Sequence, residues 1–327
     1  MRKVFKICLS IVLCVFIGIS LIGCGADEDV LRIYMPDGAP ALAMGKLMHD
    51  NNSLGWDDVD YTVVSSSNIS NCILQKTADI AILPINLASK ILKDGENYKV
   101  VATVTNGNLY IVGNSNLSSL SDLKNKVVGV IGEGNVPDLN FKYLLSSSDI
   151  GFEENESVVE NKVALRYFAN ASELIPLLKR GDMRFGLLPE PAVSKLLSMA
   201  SNYSIELDLQ ELWSGGSYPQ AVLVVRKGLC KDSKFMENLL REMKENVGWI
   251  LDNSELAVEA INNNLDDGVV ASLQSSISVS AISNCNIRVV STTESGEVER
   301  MKSYLEKIRS ISSKAIGNYT DNLFYAI

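Results

Sequence analysis

The residues able to do chemistry gather at four abrupt junctions, where a Val/Ile-rich run stops and a helical pattern begins. These are Pro36-Asp-Gly-Ala-Pro40, Pro84-Ile-Asn86, Gly132-Glu-Gly-Asn-Val-Pro137 and Pro189-Glu-Pro191. A helix N-terminus presents unpaired N–H groups and a partial positive charge, which suits the holding of a small polar solute. Gly38, Gly132 and Gly134 let backbone approach that solute without a Cβ in the way, and Ala39 adds little bulk. Pro40 and Pro137 preset φ at the start of their helices. The polar side chains at these rims are Asp37, Asn86, Glu133, Asn135 and Glu190. Asp37 and Asn135 either cap their own helices or face a ligand, and Glu133 either is solvated or lines the site. Glu190, between two prolines just past a buried strand, is expected to face the cleft. Ser65, Ser66 and Ser67, with the Thr105–Asn108 stretch ending at Asn108, add hydroxyl and amide groups. Trp213 and Tyr218 bracket Ser214-Gly-Gly-Ser217, so an aromatic ring there either closes over a ligand or packs on a hinge.

Catalysis has little material. The chain holds one histidine, His49, and no G-x-S-x-G stretch. Gly132-Glu-Gly-Asn-Val-Pro137 places proline where a dinucleotide loop needs its last glycine. Cys72, Cys230 and Cys285 are too far apart for a metal motif and read mostly as buried small apolar residues. Asp57-Asp58-Val-Asp60 lacks the spacing of a calcium loop. The expectation is a binding protein with no cofactor, no metal and no catalytic residue.

The elements that position these junctions alternate. Val30–Met35, Val59–Ser65, Asp79–Leu83, Val127–Ile131, Ala164–Phe168 and Phe185–Leu188 read as short strands. Helical patterns lie between them at Pro40–His49, Ile69–Gln75, Leu87–Leu92, from Asp138, and at Ser172–Lys179. Repeated βαβ units predict an α/β protein with mainly parallel sheets covered by helices. From Lys231 the chain turns largely helical, with one strand candidate at Ile287–Val290. There is also an internal repeat. Pro40, Leu42 and Leu47 align without a gap on Pro137, Leu139 and Leu144. Leu83–Leu92 aligns on Leu188–Leu197 with five of ten positions identical. Two matches in the same order predict two similar Rossmann-like lobes whose strand ends face one cleft. Extended segments at Thr103–Gly113 and Tyr218–Arg226 would cross between them. Residues 30–106 and 222–327 then form lobe 1, and residues 107–221 form lobe 2.

The ends set the location. Met1-Arg-Lys-Val-Phe-Lys6 is basic, the 16 residues Ile7–Ile22 carry no charge, and Leu21-Ile-Gly-Cys24 closes the run. This is the order of an export signal, and the run is short for a spanning helix, which needs about 20 residues. Leu21-Ile-Gly-Cys24 matches the bacterial lipobox, so residues 1–23 are expected to be a lipoprotein signal peptide, Cys24 the acylated (palmitate-bearing) N-terminus, and 24–29 a tether. Arg2, Lys3 and Lys6 leave with the signal, so the 30 basic residues of the whole chain become 27 against 39 acidic ones, a net charge of −12. That balance argues against nucleic acid, which selects clustered Lys and Arg.

Taken in order, LIGC, PDGAPALA, ADIAILPINLASKIL, LKNKVVGVIGEGNVPD, LLPEPAVSKLL and LWSGGSYPQAVLVV resemble a substrate-binding lipoprotein of an ABC importer. The group it is most similar to binds nitrate, taurine, alkanesulfonates and thiamine precursors. The resemblance runs from Cys24 to about Arg226. It implies a type II periplasmic-binding-protein fold, a monomer on the extracytoplasmic face of the membrane, a solute trapped by hinge closure, and a permease with its ATPase as partners. It carries Asp37–Ala39, Ser65–Ser67, Pro84–Asn86, Glu133–Asn135 and Glu190 as the pocket wall. These loops contain no Arg or Lys and three carboxylates, so a neutral or amine-bearing solute, such as a heteroaromatic ring, is expected over a sulfonate or nitrate. A solute-sensing receptor would use the same closure, and an enzyme on this fold is the remaining alternative.

Overall fold

The structure is a computed structural model that describes residues 30–273 and 277–326. The expected signal segment, Cys24 and the tether lie outside the described residues. No helix among the described residues is long and apolar enough to cross a membrane.

Two six-stranded sheets organise the chain. The first has the order β12-β4-β11-β3-β1-β2, from β1 (Val30–Pro36), β2 (Asp58–Val64), β3 (Ile80–Pro84), β4 (Tyr98–Asn106), β11 (Pro219–Arg226) and β12 (Ile287–Ser291). The second has the order β10-β5-β9-β6-β8-β7, from β5 (Leu109–Gly113), β6 (Lys126–Ile131), β7 (Phe152–Glu154), β8 (Val163–Phe168), β9 (Phe185–Pro189) and β10 (Ser204–Asp208). Four of six strands in the first sheet and five of six in the second run the same way, as the pairings require. The sheets share a strand order over five strands, with β12 and β7 added at opposite ends. β1 and β6 take the same place, β2 matches β8, and β3 matches β9; an antiparallel strand, β11 or β5, then adds beside β3 or β9. The matched prolines sit at equivalent registers, Pro84 opposite Ala221 and Pro189 opposite Leu109. The internal repeat is therefore a repeat of architecture.

Central strands read as unbroken apolar runs because helices cover both faces. Ile80, Ala81, Ile82 and Leu83 of β3 are all fully buried. Helices α3 (Ile69–Leu74), α4 (Ile85–Ile91), α5 (Val136–Ser147), α6 (Ala171–Arg180) and α7 (Ala192–Met199) supply those layers, with α1 (Ala39–Leu42) and α2 (Gly45–His49) after β1. The expected single helix at Pro40–His49 is two short helices. A buried amide on α8 (Ser233–Asp252) explains how the break is tolerated. Asn246 donates to the Leu42 carbonyl at 3.0 Å and accepts from the Lys46 N–H at 2.7 Å. It thus satisfies backbone groups that the interruption would otherwise leave unpaired. α8 buries Phe235, Met236, Leu239, Met243 and Ile250 at helical spacing. α9 (Ser254–Asn263), α10 (Val279–Asn284) and α11 (Glu297–Ile311) complete the helical C-terminal part. The strands β7 and β10 are additions to the sequence reading. Both are short edge strands with no fully buried residue, so neither shows a clear apolar alternation.

His49 is exposed on α2, with its ring 5.2 Å from that of Trp249, and Cys72, Cys230 and Cys285 are free thiols.

Candidate functional site

The four junctions follow the carboxyl ends of β1, β3, β6 and β9, and the Ser65–Ser67 loop follows β2, where open α/β sheets bind ligands. The structure gives their side chains different tasks. Asp37 is a latch: one carboxylate oxygen accepts the Gly38 N–H at 2.8 Å and the other the Ser272 N–H at 2.7 Å. It makes no cap bond to α1; it draws the 271–273 segment against the turn. Gly38 and Ala39 are buried beneath that segment. Ser66 and Ser67 are exposed, and the Ser65 and Ser67 hydroxyls lie 3.0 Å apart.

On the second sheet, Glu133, Gly134 and Asn135 are exposed and form the turn into α5. Gly132 and Gly134 have φ of +65° and +71°, a conformation that favours glycine. Asn135 makes no side-chain cap bond to α5. The residue that shapes this turn is Asp138, which is fully buried. Its carboxylate accepts the Gly134 N–H at 2.9 Å, the Lys142 ammonium at 2.9 Å and the Tyr167 hydroxyl at 2.8 Å. Sequence reasoning placed Asp138 only at a helix start; an acid in the first turn beside a glycine pair was the signal for this role.

Glu190 is 2 % exposed and sits where the two halves meet. Its carboxylate accepts the Ser194 N–H at 3.0 Å and the Ser194 hydroxyl at 2.9 Å, and the Asn284 side chain also donates to it. Burial pushes its pKa up, with the Ser194 and Asn284 bonds opposing. No Lys or Arg among the described residues forms an ion pair with it. Asn108 joins Glu190 to the first sheet. It is 1 % exposed, donates to the Glu190 carbonyl at 3.2 Å, and accepts from Gln220 at 2.8 Å. Tyr110 donates to the Asn284 carbonyl at 3.2 Å across the same junction.

Several buried polar atoms at this end of the first sheet have no protein partner: Asn86 Oδ1, Thr105 Oγ1, Asn106 Nδ2, Ser217 Oγ and Gln220 Oε1. They follow β3, end β4 and open β11, beside Asn108. Unpaired buried polar groups are uncommon and call for water or a ligand. Of these, Ser217 and Gln220 are not among the ligand contacts read from the sequence. Only a pairing between distant strands brings them together.

Trp213 and Tyr218 are 4 % and 1 % exposed and their rings face other rings. Trp213 stacks on Tyr143 at 4.6 Å, and Tyr218 stacks on Tyr304 at 5.6 Å. Of the two roles open to them, the packing role is the one seen in this arrangement. No hydrogen bond among the described residues joins Asp37–Ala39 or Ser65–Ser67 to Glu133–Asn135, so these stand as separate rims.

No protein-family model matches the sequence, and no curated protein matches it. Solved structures do match. A protein described as an ABC transporter from Parabacteroides distasonis aligns with TM-score 0.74 and 20 % identity, over 91 % of this chain and 99 % of that one. The aliphatic sulphonate binding protein SsuA of Escherichia coli gives 0.63 and 12 %, over 88 % of each chain. A zinc-bound ligand-binding component of an ABC-type import system from Staphylococcus aureus gives 0.59 and 12 %, over 91 % and 96 %. This chain has the two-lobed α/β fold of substrate-binding proteins of ABC transporters.

Proposed function

We propose that the chain is an extracytoplasmic solute-binding lipoprotein of an ABC importer, anchored through Cys24 and working without catalysis. Residues 30–106 and 222–327 would form one lobe and 107–221 the other, closing on a solute that a permease and its ATPase then take up. The wall would comprise Asp37–Ala39, Ser65–Ser67, Asn86, Asn108, Glu133–Asn135 and Glu190. Trp213 and Tyr218 would support it from behind. The observation that carries this reading is the group of unpartnered buried polar atoms at the junction of the two sheets. A solute with both donors and acceptors supplies the missing partners. Charge favours a neutral or amine-bearing solute. The wall contains no Arg or Lys, and Glu190 is buried without a counter-ion among the described residues. An isolated buried carboxylate disfavours an anion beside it.

A thermal-shift screen of the purified protein tests this, with pyrimidines, other amino-heterocycles, amines, amino acids, sulfonates and nitrate. A ligand at about 100 times its dissociation constant stabilises the native state by about 2.7 kcal/mol. A hit among neutral or amine-bearing compounds is the expected result. Hits confined to sulfonates or nitrate would refute the charge argument and leave the solute-binding function standing.

A further inference from the structure

The two sheets are joined covalently twice, through Gly107-Asn108 between β4 and β5, and through residues 209–218 between β10 and β11. The structure contains a third connection. Helix α11 leaves the first sheet just after β12, with the buried Glu297 accepting from Thr103 of β4 and held by Arg300 at 2.8 Å. The chain after α11 returns to the same half. Thr320 binds Asp94 through its N–H at 2.6 Å and its hydroxyl at 2.8 Å, and the Tyr325 N–H reaches the Val100 carbonyl at 2.8 Å. The start of the helix and the chain that follows its end are therefore fastened to the first half.

Its middle is plugged into the second. The Tyr304 hydroxyl accepts from Asn140 of α5 at 2.9 Å, in a site where both residues are at most 3 % exposed. The Tyr304 ring lies 5.4 Å from Trp213 and nearly parallel to Tyr218, at 8°. Trp213 in turn stacks on Tyr143 of α5, and Lys307 of α11 places its ammonium 5.4 Å from the Trp213 ring. The column continues to the first crossing. A Cβ on Gly107 would stand 2.4 Å from the Tyr218 ring, so backbone and ring are in direct contact. The Gly107 N–H also donates to the Tyr218 carbonyl at 2.9 Å. Tyr304, Tyr218 and Gly107 thus line up one residue from the helix and one from each covalent crossing.

We propose that α11 is a third, non-covalent tie between the halves, and that Tyr304 is the positioning residue that sets the angle at which the two sheets face one another. The sheets then turn about the Tyr304–Tyr218–Gly107 column, and loss of the Tyr304 ring frees both crossings at once. This rests on the two-lobe reading above and is independent of which solute is bound.

Hydrogen exchange on the ligand-free, full-length protein tests it. In Tyr304→Ala the N–H groups of Gly107 and Glu190, bonded to the Tyr218 and Asn108 carbonyls of the two crossings, should exchange at least about tenfold faster. Amides of Ile82 in β3 and Val128 in β6 should keep their wild-type rates. Tyr304→Phe keeps the ring and should leave all four unchanged. A Trp56→Phe/Trp249→Phe background, in which Trp213 is the sole indole, should show red-shifted emission only with the alanine variant. If Tyr304→Ala does not fold, Tyr304→Leu gives the same comparison with a smaller cavity. Unchanged exchange at Gly107 and Glu190, or an equal rise at all four positions, would overturn the proposal, since the second is what a purely structural role produces. A failed solute screen leaves this result standing, and a failed exchange experiment leaves the screen standing.

Discussion

Replacing Asp138 by asparagine should loosen the Gly132–Asn135 turn at a measurable cost. The carboxylate has three donors around it, from Gly134, Lys142 and Tyr167, and no exposure to water. The asparagine oxygen still accepts the Tyr167 hydroxyl. Its amide nitrogen, however, takes the position of Oδ2, which accepts from both the Gly134 N–H and the Lys142 ammonium. Two charge-assisted bonds are lost and donors face donors. Hydrogen bonds to charged groups contribute about 1.5–3 kcal/mol each. The Lys142 side chain is 22 % exposed and Gly134 is exposed, so water recovers part of both. The net loss should be about 2–4 kcal/mol, below the ~3–5 kcal/mol typical of breaking a fully buried pair. In a chain of this size that lowers the melting temperature by roughly 3–6 °C. Urea unfolding of wild type, Asp138→Asn, Lys142→Met and the double variant measures it. The double variant should lose less than the sum of the singles, because the lysine is what the amide repels. A loss under ~0.5 kcal/mol for Asp138→Asn, or strict additivity, would refute the assignment of Asp138 as the residue that holds this turn.

Three further outcomes follow from the same geometry. Burial raises the Glu190 pKa in the folded state, so its contribution to stability is present below the ordinary glutamate range and is lost as pH rises through the folded value. The groups facing it are Ser194, Asn284, Tyr110 and Cys285, none of them cationic. Glu190→Gln should therefore flatten the decline in melting temperature from acid to neutral pH, and an unaltered slope would contradict the assigned shift. Gly107→Ala should cost about 1–3 kcal/mol by forcing the Tyr218 ring aside, read by urea unfolding; a neutral effect would mean the crossing has room. Asp37→Asn replaces one of two carboxylate oxygens that bind the Gly38 and Ser272 N–H groups, and should cost about 1–3 kcal/mol. Accelerated hydrogen exchange at Ser272 would locate the loss in the latch, whereas unchanged exchange there would rule the latch out.

Much of the architecture was legible in the chain because it is written locally. Apolar runs at Ile80–Leu83 and Val127–Ile131 read as central strands, and a proline opens the next helix after each, Pro84 directly after Leu83 and Pro137 after the Gly132–Val136 turn. The repeat was visible for the same reason: each half needs a strand, a proline and a helix in the same order to build the same sheet. The edge strands Phe152–Glu154 and Ser204–Asp208 were hidden because they are short and none of their residues is fully buried, so their periodicity is weak.

Partnership between distant side chains was not written locally. Nothing near Asp37 says that its acceptor capacity is taken by Ser272, 235 positions away, and nothing near Tyr304 points to Asn140, 164 positions away. Trp213 and Tyr218 carried two readings because an aromatic beside Gly-Gly suits a lid or a hinge equally well. The rings of Tyr143 and Tyr304 bury both, and those come from helices far along the chain. Likewise the unpaired atoms of Asn86, Asn106 and Gln220 gather at one end of a sheet only because β11 is laid between β3 and β4. Local sequence determined the elements, their order and the loops at their ends, since backbone sterics and side-chain periodicity act over a few residues. Which groups are spent on holding those loops, and which remain for a solute, was decided by tertiary packing, since burial and hydrogen-bond partners depend on what the fold brings alongside.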